Sequence, residues 1–272
     1  MKVEVLLSVM NQTDFSAINA CNISGDAVVV NQCEKDKIEV IYNSGGSRIT
    51  WIDSTERGLS RSRNTALAHA SADVCLLCDD DVVYYGNYQE IVKRAFKEVP
   101  DADVLIFDID EIGTNEQRKK ANKISRVPFF KTFGSVHIAI RRDVFQRNNI
   151  CFNECFGAGS GMYSMAEDSL LFREFHRNKM KVYRYPATIS KVLFGQSSWF
   201  YGFDEKYFYD TGAYLAAAYP EFYHVMKWYY PLRLFHRTNL SAVQMIKYIN
   251  LGVDGYFKKI PYHMIKGREN GK

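Results

Sequence analysis

The chain has 272 residues, a formal net charge of +4, 47% hydrophobic and 24% charged residues, which is the composition of a globular protein with one large core or a core and a small appendage. Six cysteines in a chain of this length do not suggest a disulfide framework, and we interpret them as reduced thiols of a cytosolic protein. The N-terminal segment MKVEVLLSVM is too short and too acidic for a signal peptide, and there is no run of about 20 apolar residues that could span a membrane.

Strands and helices alternate up to residue 110, which predicts a parallel, doubly wound sheet of the α/β class. Residues 3–9 are apolar on both faces, as in a strand that helices cover on each side. Further strands are predicted over residues 26–30, 37–42, 48–52, 73–78 and 103–109, and helices over 14–21, 60–70 and 88–99.

The second half of the chain predicts a different organisation. Residues 113–127 are polar and basic and predict a loop, and mixed short strands with a helix over 166–178 follow from residue 129. From about Gly202 the chain is helical and aromatic. We therefore expect a catalytic domain over 1–201, divided into halves 1–110 and 111–201, and a helical extension over 202–272.

Three consecutive carboxylates, Asp79, Asp80 and Asp81, follow the apolar segment VCLLC. Strands of open α/β sheets end at the ligand crevice, so this cluster is predicted to lie where a ligand binds. The three negative charges repel one another, and a hard divalent cation such as Mg²⁺ or Mn²⁺ would remove that conflict. An isolated acidic triplet would more often be a solvated turn, so the interpretation depends on the neighbouring motifs.

Three further motifs occur in a set order around the acidic triplet. The strand DAVVV ends at Asn31-Gln32-Cys33, the segment ERGLSRSRNTAL spans residues 56–67, and FGAGSGMYSMAEDSLLF spans residues 156–172. This order resembles the inverting, family 2 type glycosyltransferases of the GT-A fold, over residues 3 to 199. The resemblance implies a Rossmann-like, mostly parallel sheet flanked by helices.

The resemblance also assigns roles to the acidic residues. Asp79 and Asp81 match the D-x-D motif that holds Mn²⁺ or Mg²⁺ against a sugar-nucleotide diphosphate, with Asp79 also near the nucleoside and Asp80 able to share either task. The pair Glu167 and Asp168 matches the E-D motif, from which we expect Asp168 to be the catalytic base. A carboxylate at a helix start can also serve only as a cap.

Further residues are predicted to contact the nucleotide. Arg57, Gly58, Arg63 and Asn64 lie near the start of a predicted helix, where backbone N–H groups and arginines suit a diphosphate. Arg61, in the same segment, is equally compatible with ordinary surface charge. The segment 157–161 is rich in glycine and could shape the floor of a sugar pocket, or form a simple turn between a strand and a helix.

Two departures from the family pattern concern the nucleotide. The family usually has an aspartate that binds the base where this chain has Asn31, whose amide can both donate and accept a hydrogen bond. Some relatives place a histidine near the metal where this chain has Lys191, which could contact the diphosphate or lie on the surface. For His137, a core or acceptor-side position is predicted rather than metal ligation.

The last fifty residues, 223–272, hold nine Lys or Arg and two Asp or Glu, a net +7 that leaves −3 for the rest of the chain. Aromatic residues alternate with these cations. A helical subdomain with basic residues outside explains this composition, and so does a patch that contacts anionic lipid at the inner face of the cell membrane. Nucleic acid binding is not expected, because no fold signature accompanies the charge.

Together these features predict a metal-dependent inverting glycosyltransferase that transfers a sugar from a nucleoside diphosphate sugar, expected to be UDP-linked, to a glycan or lipid-linked glycan, for example in bacterial surface polysaccharide synthesis. A nucleotidyltransferase is the first alternative, but LLSVMNQTDF lacks the glycine-rich basic loop of that class. The second is a non-catalytic nucleotide-sugar-binding protein, which the two acidic motifs disfavour.

Overall fold

A computed structural model of the chain describes residues 1–113, 119–193, 200 and 202–269. Residues 267–269 are described through their backbone alone. The strands are β1 (Val3–Met10), β2 (Asp26–Gln32), β3 (Lys37–Tyr42), β4 (Arg48–Ser54), β5 (Val74–Asp79), β6 (Val82–Tyr84), β7 (Val104–Ile112), β8 (Ser125–Arg126), β9 (Ile138–Arg141) and β10 (Val182–Leu193). The α-helices are α1 (Ser16–Ala20), α2 (Leu59–His69), α3 (Tyr88–Glu98), α4 (Arg142–Arg147), α5 (Glu167–Arg177), α6 (Glu205–Ala218), α7 (Tyr223–Met226), α8 (Tyr229–Leu234), α9 (Ala242–Lys258) and α10 (Tyr262–Glu269).

The strands form one mixed sheet in the order β3-β4-β2-β1-β5-β9-β7-β10-β6, and β8 pairs with β10 outside this path. The strands β4, β2, β1 and β5 are parallel to one another, and β10 is parallel to β7. β9 lies antiparallel between β5 and β7. This arrangement is the GT-A architecture that the sequence motifs predict, with an antiparallel β3 at one edge.

The central strands are buried on both faces because helices cover both sides of the sheet. On β5, Cys75 packs in the core on one face of the sheet and Cys78 in the core on the other, as expected for residues three apart in a strand. The apolar side chains of β1 and β2 divide between the same two cores. The sequence-based prediction of buried parallel strands is therefore confirmed.

The helical extension packs directly on the rest of the molecule. Tyr209 and Ala213 of α6 share a core with Phe156, Tyr163 and Leu170, so the extension covers the segment that leads into α5. The helices α6 and α9 approach so closely that a Cβ on Gly212 would lie 2.0 Å from the carbonyl oxygen of Ile249. Only glycine fits at such a crossing.

The observed elements match the predicted ones to within a few residues, and β9 is one of the short strands predicted after residue 129. β6 is additional, and so is β8, which lies within the predicted loop 113–127. Part of the predicted loop 113–127 lies outside the described residues, and so do the domain boundary at Tyr201 and the end of the family resemblance at Trp199. The division into two domains stays a prediction. Within the described ranges, no helix is long and apolar enough to cross a membrane.

Candidate active site

The candidate site lies at the carboxyl ends of the parallel strands, where β5 ends at Asp79. α2 begins here after Gly58, which has a φ of +117° that favours glycine. α5 begins at Glu167 on the other side of this edge. The sheet topology thus brings together motifs that are about ninety residues apart in the sequence.

Arg63 of α2 connects the two acidic motifs. Its side chain is 2% exposed, and its Nη2 donates to both carboxylate oxygens of Asp79 at 3.0 Å. Its Nη1 lies 3.3 Å from Oδ1 of Asp168 and 3.7 Å from Oε1 of Glu167. The acidic triplet and the E-D pair therefore belong to one site, with the buried guanidinium of Arg63 between them.

The acidic triplet presents its last two members to solvent. Asp79 ends β5, while Asp80 and Asp81 form the exposed turn into β6. Partial loss of hydration and the charge of Asp79 raise the pKa of Asp80. Partial loss of hydration and the charges of Asp79 and Asp80 raise the pKa of Asp81 to about 6. These groups thus repel one another, and among the described residues only Asp79 of the three forms an ion pair, with Arg63.

The E-D pair follows a strained backbone position. Ala166 has a φ of +78°, the left-handed region that residues other than glycine seldom adopt. It turns the chain so that α5 begins with both carboxylates, and Oδ2 of Asp168 accepts a hydrogen bond from the backbone N–H of Ser135 at 3.0 Å. The backbone geometry thus holds Asp168 in place from two directions.

Burial raises the pKa of both carboxyls of the pair. For Glu167, burial and the neighbouring Asp168 raise the pKa to about 7, against the opposing charge of Arg63. For Asp168, burial raises the pKa while Arg63 and the Ser135 hydrogen bonds oppose it. A carboxylate with a raised pKa accepts a proton more readily, which suits a general base.

The pair lines an open cleft of about 580 Å³. His137 lies in its wall, and its Nδ1 is 2.7 Å from the carbonyl oxygen of Phe107. The lining also includes exposed lysines, two buried acidic residues, and an arginine that pairs with one of them: Lys119, Lys120, Lys131, Asp108, Glu111 and Arg184. A hydroxyl compound that enters this cleft would reach Glu167 and Asp168.

Two residues that are predicted to contact the nucleotide, Asn31 and Arg57, form hydrogen bonds within the protein. Asn31 accepts from the N–H of Gln12 at 2.9 Å and donates to the carbonyl oxygen of Gln12 and to Asp53. Arg57 donates to the carbonyl oxygens of Cys33, Ser54 and Thr55 and pairs with Glu34. These two side chains fasten the ends of β2 and β4 together.

Gly58, Asn64 and Arg61 join α2 to the segment that precedes α5. A Cβ on Gly58 would lie 3.4 Å from the carbonyl oxygen of Gly159. Asn64 accepts from the N–H of Phe152 at 2.8 Å and donates to its carbonyl oxygen at 3.0 Å, while Arg61 pairs with Glu154 at 3.1 Å. The glycine-rich segment 157–161 thus packs on the start of α2.

Lys191 lies on β10 beside β6, opposite Val83 and next to Asp110 of β7. It is half-buried, close in sequence to the residues 194–199 that lie outside the described ranges. β6 directly follows the acidic turn, so Lys191 is on the strand that neighbours this turn. Its predicted contact with the diphosphate stays a prediction.

Two residues that the sequence did not single out support the site. Asp53 of β4 is 4% exposed; burial would raise its pKa, but hydrogen bonds from Asn31, Trp51 and Lys35 outweigh burial and lower it. Asp210 of α6 accepts from the backbone N–H and the hydroxyl of Ser164 at 3.0 and 2.9 Å. A lone aspartate in a strand or helix gives no sequence signal, since only its partners in space reveal its role.

The carboxylates at the acidic turn fit a hard divalent cation. Asp81 supplies an exposed carboxylate that forms no ion pair within the described ranges, and the oxygens of Asp79, which accept hydrogen bonds from Arg63, keep further lone pairs. Mg²⁺ or Mn²⁺ is commonly held by one or two carboxylates together with substrate phosphates and water. Among the described residues, no cluster of three or more His, Cys, Asp or Glu is arranged to hold a metal by itself. The donor set therefore suits a metal shared with a phosphate ligand.

Comparisons with known proteins agree with this geometry. The profile of the family described as "Glycosyl transferase family 2" matches residues 4–161, more than half of the chain. No curated protein matches the sequence.

Among solved structures, S. aureus TarS residues 1–349 in complex with UDP-GlcNAc has 14% sequence identity and a TM-score of 0.60, with 96% of this chain and 74% of that chain covered. The mannosyltransferase PcManGT from Pyrobaculum calidifontis, in complex with GDP-Man and Mn²⁺, has 11% identity and a TM-score of 0.51, with 94% and 87% covered. At these identities the likeness shows the fold alone.

Proposed function

Because the chain belongs to glycosyl transferase family 2 and is thus a glycosyltransferase, we propose that it transfers a sugar from a nucleoside diphosphate sugar to a hydroxyl acceptor with inversion at the anomeric carbon. The donor is a UDP-sugar and the reaction depends on a divalent metal. The similar folds of TarS and PcManGT, solved with UDP-GlcNAc and with GDP-Man and Mn²⁺, support a nucleotide-sugar donor.

The observation that carries the proposal is the position of Arg63 between the two acidic motifs. Its guanidinium contacts Asp79 and lies within 4 Å of Glu167 and Asp168. A donor diphosphate held at the acidic turn would therefore have its sugar within reach of a carboxylate base. Two carboxylate sets with different surroundings suit different tasks, one for the donor and one for the proton.

Asp79 and Asp81 are the residues that would hold Mn²⁺ or Mg²⁺ at the donor diphosphate. When bound, the metal supplies Lewis-acid stabilisation of the charge on the departing diphosphate. Asp80 and Lys191 lie beside this position and would contact the diphosphate or the nucleoside.

Asp168 serves as the general base of a single displacement. It accepts the proton of the acceptor hydroxyl as the oxygen of that hydroxyl bonds to the anomeric carbon, and the bond from that carbon to the diphosphate oxygen breaks. The nucleoside diphosphate leaves with the bonding electrons, and attack opposite to it inverts the configuration. The N–H of Ser135 orients the carboxylate, and Glu167 contacts the acceptor.

Asn31, Arg57, Gly58 and Asn64 line the nucleotide side. Because their polar atoms bond mostly within the protein, they would shape the wall of the nucleotide pocket through the ends of β2, β4 and α2. Asp53, which bonds to Asn31 at 2.8 Å, is added to this group as a candidate for contact with the base.

A panel of nucleotide sugars with and without Mn²⁺ tests the donor and the metal, read as thermal shift and as release of nucleoside diphosphate. Asp81→Asn should abolish metal-dependent turnover. Asp168→Asn should lose transfer while it still binds the donor in calorimetry. Asp143→Asn, at an exposed position of α4, is the matched control and should behave as wild type. Full activity of Asp81→Asn would refute the metal assignment, and retained transfer in Asp168→Asn would refute the base.

The acceptor is a glycan or a lipid-linked glycan, as in bacterial surface polysaccharide synthesis, and the enzyme acts at the inner face of the membrane. Large apolar side chains of the extension are exposed: Phe222, Val225, Trp228, Tyr229, Leu232 and Phe235. There is no Asp or Glu from residue 222 to 253, where Lys227, Arg233, Arg237 and Lys247 occur. Such a surface suits anionic lipid.

Liposome flotation tests membrane contact. Leu232→Asp, at a residue 78% exposed, should lower the fraction bound to anionic vesicles, whereas Val243→Asp, at a residue 80% exposed on α9, should not. If both variants float with anionic vesicles to the same extent as wild type, the proposed membrane contact of this surface is refuted.

A further inference from the structure

A second cavity of about 580 Å³ lies beside the acceptor cleft, between α5 and the start of the segment that links α6 to α7. Most of its lining is apolar, from Phe129, Ala218, Tyr219, Pro220, Phe222, Val225 and Met226, and its charged residues are Arg173, Arg177 and Glu221. We name this cavity the α5–α7 groove. Phe222 and Val225 also belong to the exposed apolar surface described above.

Arg173 is the unusual residue of the α5–α7 groove. It is 8% exposed, and its guanidinium lies between two aromatic rings, 4.2 Å from the centroid of Phe129 and 4.0 Å from that of Tyr219. Within the described part of the chain it makes no hydrogen bond or ion pair to an acidic side chain. By contrast, Arg177 pairs with Glu174 at 2.7 Å.

The guanidinium of Arg173 is free to bind an anion in the groove. The two rings stabilise its charge by cation–π contact and hold it in one orientation, and they leave its N–H groups available to an acceptor that enters the groove. A phosphate oxygen pair matches the fork of an arginine in geometry and charge. The apolar lining on the same groove matches a hydrocarbon chain.

The groove is also close to the candidate catalytic residues. Ser169 lines the acceptor cleft and Arg173 lines the groove, and these residues are one helical turn apart on α5, a rise of about 6 Å. Phe129 lines the groove while Lys131 lines the cleft. A ligand anchored at Arg173 could therefore extend a hydroxyl-bearing head toward Asp168.

We propose that the α5–α7 groove binds a lipid phosphate, with the phosphate on Arg173 and the first part of the hydrocarbon chain on Phe129, Phe222 and Val225. This inference rests on the proposed function in one respect, that the lipid phosphate carries the acceptor sugar. The binding itself does not depend on transfer and is measured without donor.

Dodecyl phosphate, used below its micelle concentration, is the probe, and calorimetry on the full chain is the measurement. We expect dodecyl phosphate to bind about tenfold or more tightly than dodecanol, which lacks the phosphate, or inorganic phosphate, which lacks the hydrocarbon chain. Arg173→Met keeps an unbranched side chain between the rings and should lose that tenfold preference over dodecanol. Arg147→Met, at an exposed arginine of α4, is the matched control.

A second pair of variants covers the case in which Arg173→Met does not fold. Val225→Asp places a negative charge in the groove at a residue 72% exposed and should weaken dodecyl phosphate binding about tenfold, whereas Val243→Asp should not. Dodecyl phosphate binding that neither Arg173→Met nor Val225→Asp changes, or equal binding of dodecanol, overturns the inference. So does binding to inorganic phosphate alone, or to anionic vesicles but not to monomeric dodecyl phosphate.

The outcome separates this inference from the proposed function. If dodecyl phosphate does not bind but nucleotide sugars are still turned over, the groove assignment fails alone. If it binds through Arg173 but no nucleotide sugar is turned over, the proposed donor fails and the groove remains.

Discussion

Replacement of Arg63 by methionine tests the core of the site most sharply. Methionine keeps much of the volume of the side chain and removes its charge, so the carboxylates of Asp79, Glu167 and Asp168 lose the cation they share. Loss of one partner from a buried ion pair costs about 3–5 kcal/mol, since the remaining charge stays buried. For a chain of this size that corresponds to a fall in Tm of roughly 10 °C.

The loss of stability in Arg63→Met should depend on pH. In the folded wild type the pKa of Glu167 is raised to about 7 from an ordinary 4.5, so the folded state holds this proton more tightly than the unfolded state. Its contribution to stability is greatest below 4.5 and is lost as the pH rises through 7. Without Arg63 the pKa of Glu167 rises further, so Arg63→Met should lose more stability relative to wild type at about pH 8 than at about pH 5.5.

Urea unfolding at both pH values measures this effect, with Arg147→Met as the control. Arg147 is 61% exposed, and loss of an exposed ion pair should cost less than about 1 kcal/mol. Addition of Asp79→Asn to Arg63→Met should restore part of the loss, because it removes one of the unpaired charges. If the free energy of unfolding of Arg63→Met alone lies within about 1 kcal/mol of the wild-type value at both pH values, Arg63 does not neutralise this site.

Three further predictions concern the backbone. Gly157→Ala would place a Cβ 3.1 Å from Oγ of Ser60 and 3.4 Å from Cδ of Glu167, so it should lower the free energy of unfolding by about 1–2 kcal/mol and slow transfer. Gly161→Ala, in open space at a similar positive φ, should lose only about 1 kcal/mol through backbone strain. Equal transfer rates of the two variants would contradict this prediction. Ala166→Gly should unfold at a higher Tm than Ala166→Val, because φ is +78° at this position, and the reverse order would be inconsistent with strain there. Gly252→Ala would place a Cβ 1.9 Å from the carbonyl oxygen of Tyr209 and should cost about 3 kcal/mol or more, while Gly86→Ala in open space should leave the urea midpoint unchanged.

The sequence predicts the first half of the fold well because its signals are local. Residues 3–9 and 73–78 are continuous apolar runs, and such runs identify strands that are covered on both faces. Short strands were predicted after residue 129, but the antiparallel position of β9 between β5 and β7 was not, since it depends on packing rather than on the four residues of the strand. The mixed character of the sheet follows from the same long-range contacts.

The acidic motifs could be found because their order along the chain resembles that of a known family; the triplet alone would more often be a solvated turn. The sequence analysis assigned Arg63 to the nucleotide and did not predict its contact with the acidic motifs, which the structure shows directly. Asn31 illustrates the limit: an amide at a strand end can bind a base, but here Asp53 and Gln12 already use its polar atoms. Whether Asn31 is available to a base depends on Gln12 and Asp53, which lie beside it in the fold but far from it in the sequence.

Crystals of the full chain soaked with UDP and Mn²⁺, with anomalous scattering recorded from the manganese, would locate the donor relative to the candidate base. We expect one manganese peak bonded to Asp79 or Asp81 and to the diphosphate, with the diphosphate on the side of the site that faces Asp168. A manganese peak away from residues 79–81, or a nucleotide bound outside the cleft that contains Asp168, would contradict this expectation.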